Sequence, residues 1–270
     1  MTKEKPNLFE PTLKVNLRHK LNVAYLNLRS VLPPKNQNVK VVIYGQGRSG
    51  STLLESLISS SGYFEEQGEI IRPYRRILGS PLAFVKGFAN HYYKENFIFH
   101  VKDYQLSDEG LELIDPREFL HKLYKEGWKI VYLNRKNILR QSISKQIANQ
   151  RNLFHQHNDQ NIEKSYQIDL EELEYEIQLR MDYLKKEREN LEGLKYEEVC
   201  YEEDLLDPRM HQKTINRLLD HFGLGPKKVS TSLKRTGKKP LEKQIKNYAE
   251  MVSFLKEKGW DYYLNDPSYQ

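Results

Sequence analysis

The chain has 270 residues, 38% hydrophobic and 30% charged, enough for one sizeable core and too apolar in its patterned stretches for disorder. No apolar run approaches the roughly 20 residues needed to cross a bilayer, and Cys200 is the only cysteine, so neither a disulfide nor a cysteine zinc cage can form within the chain. The formal charge of +6 is contributed by residues 1–40, which hold eight Lys or Arg and two Glu; the rest balances, unlike a protein that coats nucleic acid.

Met1 is followed by Thr2-Lys3-Glu4-Lys5-Pro6 with no apolar segment behind it, and with the lone thiol this leads us to expect a cytoplasmic protein. Leu13, Leu17, Leu21, Tyr25, Leu28 and Leu32 then recur at three to four residues with Lys14, Arg18 and Lys20 between them. This spacing predicts a basic amphipathic helix within an extension, residues 1–37, that packs on or beside the core and is also suited to peripheral contact with a membrane. Residues 38–270 are expected to form a single domain.

Val39 to Tyr44 is nearly all β-branched or aromatic, the pattern of a buried strand. Gly45 to Gly50 breaks it, and Ser51 to Ile58 resumes with leucines at helical spacing. Further strands are predicted at Phe97 to Lys102, Lys129 to Leu133 and Tyr196 to Tyr201. Asp115-Pro116 and Asp207-Pro208 each open a helix, the second closed by Gly223, and Asp169 caps a long helix with Glu172 completing a capping box and Leu170, Leu173, Ile177 and Leu184 as its stripe. Strands alternating with helices predict an α/β fold, a three-layer sandwich around a central, mainly parallel sheet.

Gly45-Gln46-Gly47-Arg48-Ser49-Gly50-Ser51-Thr52 has the frame of a phosphate-binding strand-loop-helix, in which consecutive amides face an anion at a helix N-terminus. The residue after Gly50 is Ser51, where nucleoside triphosphatases carry a lysine, which weighs against a magnesium-dependent nucleotide kinase. Arg48 instead offers a fork of donors suited to a tetrahedral oxyanion.

The string Gly47-Arg48-Ser49-Gly50-Ser51-Thr52-Leu53-Leu54 resembles the 5′-phosphosulfate loop of the sulfotransferases that use 3′-phosphoadenosine 5′-phosphosulfate (PAPS). Tyr132 to Ser144 resembles the segment in which those enzymes hold the donor's 3′-phosphate. The resemblance implies that Arg135 is its arginine and Ser144 or Ser142 its serine; the two serines lie about 200° apart on a helix, so one at most turns toward Arg135. A basic run passes through Lys227, Lys228, Lys234, Arg235, Lys238 and Lys239; Cys200 to Leu205 resembles an architectural stretch of the family, and Lys234 to Lys239 with Pro240 to Tyr248 resembles its loop closing over the nucleotide.

The resemblance, strongest with bacterial carbohydrate-type members, implies a metal-free transfer from PAPS to a hydroxyl of a carbohydrate, glycolipid or related small molecule, leaving adenosine 3′,5′-bisphosphate. Gly47, Arg48, Ser49, Gly50, Ser51, Thr52, Arg135, one serine and Arg235 would hold the donor. The base would be Glu69, with Glu65 and Glu66 close by, or His100, which alternates with Lys102 so that both face one side of their strand. Lys102 would be a cation near the sulfuryl group. A non-catalytic nucleotide-binding module of the same fold is the other alternative. His155, His157 and Asp159 have metal-ligand character but no further ligands around them.

Overall fold

A computed structural model describes residues 17–32, 38–71, 80–91, 96–108, 113–151, 165–233 and 240–269. In chain order it forms α1 (Leu17–Val31), β1 (Lys40–Gly45), α2 (Ser51–Ser59), β2 (Phe64–Glu66), α3 (Pro81–His91), β3 (Asn96–Val101), α4 (Asp103–Ser107) and α5 (Pro116–Lys125). There follow β4 (Lys129–Asn134), α6 (Ile138–Arg151), α7 (Leu170–Leu191), β5 (Tyr196–Cys200), α8 (Pro208–His221), α9 (Leu241–Gln244) and α10 (Tyr248–Glu257).

The five strands make one all-parallel sheet in the order β2-β3-β1-β4-β5. Central β1 is buried on both faces, which is why its sequence is continuously apolar. Val42 and Tyr44 pack with Phe97, Phe99, Trp128 and Tyr132 beneath α3 and α5, while Val41 and Ile43 pack with Leu54, Leu57 and Leu218 beneath α2 and α8. The period of two thus sends alternate residues into the two outer layers of an α/β three-layer sandwich. A third apolar cluster joins α6, α7 and α10 through Leu139, Ile143, Leu173, Ile177, Met251 and Leu255.

The helix starts follow the sequence signals. Asp115 accepts from Glu118 N, Asp169 from Glu172 N and Asp207 from Arg209 N, with proline at the first helical position after Asp115 and Asp207. Gly223, in the left-handed conformation at φ 77°, follows the end of α8. Two features lack a periodic signal: the three-residue edge strand β2, and a π-helical turn at Tyr201–Leu205 where strand was expected to run on through Tyr201.

α1 packs along α3, with Val23 in the main core. Among the described residues no helix is long and apolar enough to cross a membrane.

The topology also fixes where a ligand fits. The chain leaves β1 toward β2 and β3 but leaves β4 toward β5, so the carboxyl ends of β1 and β4 open a crevice at a topological switch point. Gly45 closes β1 there because a Cβ would lie 2.0 Å from the Leu133 carbonyl oxygen.

Candidate functional site

The loop leaving β1 is held by its carbonyls. Ser49 Oγ donates to Gln46 O at 2.6 Å, Gln141 Nε2 and Arg180 donate to Gly47 O at 2.8 and 3.1 Å, and Arg135 donates to Arg48 O at 3.0 Å. In a trans peptide the N–H points opposite to the C=O, so pinning these three carbonyls turns the amides of Gly47, Arg48 and Ser49 the other way. Arg48 (φ 65°) and Gly50 (φ 96°) supply the left-handed residues that such a curl requires. Arg48 is the only non-glycine residue with positive φ among those described, a conformation that costs on the order of 1 kcal/mol and that the surrounding bonds must hold. The first turn of α2, at Ser51 and Thr52, continues the same surface with amides that have no partner inside the helix.

Cations gather around this loop. Arg48 donates through Nε and a terminal nitrogen to Ser144 Oγ at 3.2 and 3.1 Å. Arg135 is buried, stacked 4.6 Å from the Tyr201 ring, and donates to the Tyr269 hydroxyl at 2.8 Å; its Nε lies 3.4 Å from Glu202 Oε1. Arg180, on α7, is buried beside Glu176. Burial and then the neighbouring Arg135 charge lower the pKa of Arg48; burial lowers that of Arg180, with Arg135 and Arg48 acting in the same direction against Glu176. Lys102 reaches the loop as well, since a Cβ on Gly47 would lie 3.4 Å from Lys102 Cε.

Next to the loop lies a chain of carboxylates and donors. Glu69, in the segment after β2, accepts from Lys102 Nζ and from Gln105 Nε2 at 2.7 Å, and its Oε1 is 3.3 Å from His100 Nε2. On the other side of the ring, His100 Nδ1 is 2.6 Å from Glu55 Oε2, while Glu55 Oε1 accepts the amides of Gln67 and Gly68, each at 2.7 Å. Burial would raise the pKa of Glu69, but His100 and Lys102 outweigh it and hold the carboxyl well below the usual range. Burial would likewise lower that of His100, and the two carboxylates reverse it, so the ring favours its doubly protonated form. An imidazolium between two carboxylates donates at both nitrogens.

The structure therefore brings Gly47, Arg48, Ser49, Gly50, Ser51, Thr52, Arg135 and Ser144 to one crevice, with Lys102, Glu69 and His100 adjoining it. Ser144 meets Arg48 rather than Arg135, and among the described residues no hydrogen bond joins Arg135 to either serine. Ser142 faces the interior, fully buried, with no partner for its hydroxyl. Glu65 and Glu66 are exposed on β2. Lys234, Arg235, Lys238 and Lys239, together with His155, His157 and Asp159, lie outside the described residues.

Several residues of the site carry no motif. Glu55 and Glu202 are buried anchors: Glu55 fixes the Gln67–Glu69 turn, and Glu202 accepts the Lys136 amide at 2.9 Å and the Tyr269 hydroxyl at 2.8 Å. Glu176, Arg180 and Glu187 share the buried side of α7 with Leu173 and Ile177. A charged residue at the spacing of an apolar stripe is the signal that could have found them. No family model matches the chain, and no curated protein is significantly similar to it.

Proposed function

We propose that the protein is a sulfotransferase that moves a sulfuryl group from PAPS to a hydroxyl of a carbohydrate, glycolipid or related small molecule. The observation that carries this reading is the convergence of Arg48, Arg135 and Arg180 on one glycine loop at the switch point, beside a lysine bonded to an ionised carboxylate. Like charges crowded at a half-buried loop, with amides turned the same way, fit an oxyanion better than a neutral ligand. The donor supplies an activated sulfur: the acceptor oxygen bonds to it, and the bond to the 5′-phosphate oxygen breaks as adenosine 3′,5′-bisphosphate leaves.

In this reading Arg48, the amides of residues 47–49 and the first turn of α2 hold the 5′-phosphosulfate. Arg135 takes the 3′-phosphate, for which the Tyr269 hydroxyl now occupies one of its nitrogens, and Ser144 lies across the loop on Arg48. Lys102 stands where it can neutralise charge on the leaving oxygen, and Glu69 accepts the acceptor's proton. His100 keeps Glu69 oriented, itself fixed by Glu55. The acceptor is expected to be a small molecule or glycan, since the charge of residues 41–270 balances, unlike that of a protein that coats nucleic acid.

Calorimetric titration with adenosine 3′,5′-bisphosphate, beside magnesium-ATP, tests the assignment. Metal-independent binding of the bisphosphate that Arg48→Ala and Arg135→Ala weaken is expected. Binding of magnesium-ATP alone would replace this reading with a nucleotide kinase. Bisphosphate binding without sulfuryl transfer to any hydroxyl acceptor would leave a binding module.

A further inference from the structure

Helix α1 is apolar on two opposite sides. Its inner side is already used: Val23 is buried in the main core and Leu26 packs against it. At Gly87 of α3 the helices touch so closely that a Cβ would sit 1.7 Å from Leu26 O. Arg29 and Asn90 lock the contact, with Arg29 donating to Asn90 O at 2.8 Å and Asn90 Nδ2 donating to Arg29 O at 3.1 Å and to Leu32 O at 3.3 Å.

The outer side carries Leu21, Tyr25, Leu28 and Leu32, which are 61%, 47%, 60% and 41% exposed, Tyr25 lying at the edge toward α3, where its hydroxyl is 3.4 Å from His91 Nδ1. At about 100° per residue these four fall within an arc of about 60°, about half a turn away from Val23 and Leu26. Of nine exposed large hydrophobic residues among those described, five lie between residues 21 and 32, so the exposure is concentrated rather than scattered.

Charge decides what fits this ridge. Residues 11–40 contain Lys14, Arg18, Lys20, Arg29, Lys35 and Lys40 and no Asp or Glu; Arg29 and Lys40 are turned inward to Asn90, so the charge offered to a partner is that of Lys14, Arg18, Lys20 and Lys35. A second copy of the chain docked ridge to ridge would set two such acid-free segments against each other. The ridge is one helix wide and about 17 Å long from Leu21 to Leu32. A shallow apolar stripe in a cationic segment matches the interface of an anionic bilayer, where leucine side chains reach the acyl boundary and lysine and arginine meet the headgroups.

We infer that α1 is a peripheral docking element for anionic membranes, with Leu21, Tyr25, Leu28 and Leu32 as the inserted face. The inference is independent of the donor-site reading, because no residue of the crevice takes part in it.

The test is co-sedimentation of the full chain with vesicles of phosphatidylcholine alone and of phosphatidylcholine mixed with phosphatidylserine, together with gel filtration and a thermal melt. Binding is expected to the mixed vesicles only and to weaken steeply as salt rises. The double variant Leu21→Ser/Leu28→Ser should bind the mixed vesicles about tenfold or more weakly while keeping the wild-type melting temperature. Lys14→Glu/Arg18→Glu should also lose binding, with the apolar ridge intact. Three results would overturn the inference: equal binding by the serine variant, a dimer that the serine variant dissociates with no vesicle binding, or a marked fall in its melting temperature, which would place the ridge against the chain's own residues.

Discussion

Glu187 offers a direct thermodynamic test of the packing behind the crevice. Its side chain on α7 is fully buried; Oε2 accepts from the Tyr132 hydroxyl at 3.2 Å and from Gln46 Nε2 at 3.4 Å, while Oε1 has no hydrogen-bond partner. Burial pushes the carboxyl up from 4.5 to about 8, with the Asp103 charge adding to the rise, although Gln46, Tyr132 and Arg180 oppose it. Between those two values the folded chain keeps a proton that the unfolded chain has lost. The stabilising contribution is therefore complete below the unfolded pKa and is lost as pH rises through the folded one, at about 1.4 kcal/mol per pH unit. From about pH 5.5 to about 7.5 the loss from this group is on the order of 2 to 3 kcal/mol. Glu187→Gln carries no titrating proton, so its stability should fall less over the same interval by that amount, the other titrating groups being common to both proteins. Urea denaturation at intervals of pH measures the difference. Parallel stability curves for wild type and variant would refute the reasoning, since Glu187 would then be ionised when folded.

Three further perturbations probe the strand register, the thiol and the acceptor end. Gly45→Ala drives a Cβ into the Leu133 carbonyl, backbone that cannot rotate away, and should cost about 2 kcal/mol or more by thermal denaturation; an unchanged melting temperature would contradict the β1–β4 register. Burial pushes the Cys200 thiol up to about 11, so iodoacetamide at neutral pH should label the folded protein very slowly and the urea-unfolded protein quickly, and fast labelling of the folded form would place the thiol outside the core. Glu69→Gln should lower the turnover of sulfuryl transfer at least about a hundredfold and leave bisphosphate affinity nearly unchanged; full turnover in Glu69→Gln combined with loss in His100→Ala would exchange the two roles.

The architecture was legible because the strands around β1 are buried on both faces and their helices are amphipathic, so one-dimensional patterns carried the three-dimensional order. Aspartate caps and the glycine after α8 marked helix limits for the same local reason. The site was legible only where one segment builds it, as between Gly45 and Thr52. Placing Ser144 on Arg48 depends on how α6 is seated against the loop, a long-range contact with no sequence period. The closure of Arg135 by Tyr201, Glu202 and Tyr269 needs the π-helical turn and the last described residues to meet at the end of β4. The buried acids of α2 and α7 were hidden for the converse reason: they occupy apolar positions and are stable there only because tertiary partners supply their hydrogen bonds.

On the sulfotransferase reading, the Lys102–Glu69 bond ties the two ends of the reaction together. With His100 and Lys102 both in place the carboxyl is held so far below its usual range that it is a weak proton acceptor, though ionised at neutral pH. Lys102 also lies against the loop at Gly47, where an anion gathered by Arg48 would compete for its ammonium. Each step of the lysine toward that anion removes a positive charge from Glu69 and raises its basicity, while burial, which already favours the protonated carboxyl, acts with less opposition. His100, fixed on its far side by Glu55, and Gln105 stay as donors and keep the carboxylate aimed. Donor binding and base strength then rise together, so the proton acceptor is strongest when the activated sulfur is present, and the ion pair shields both groups when it is not.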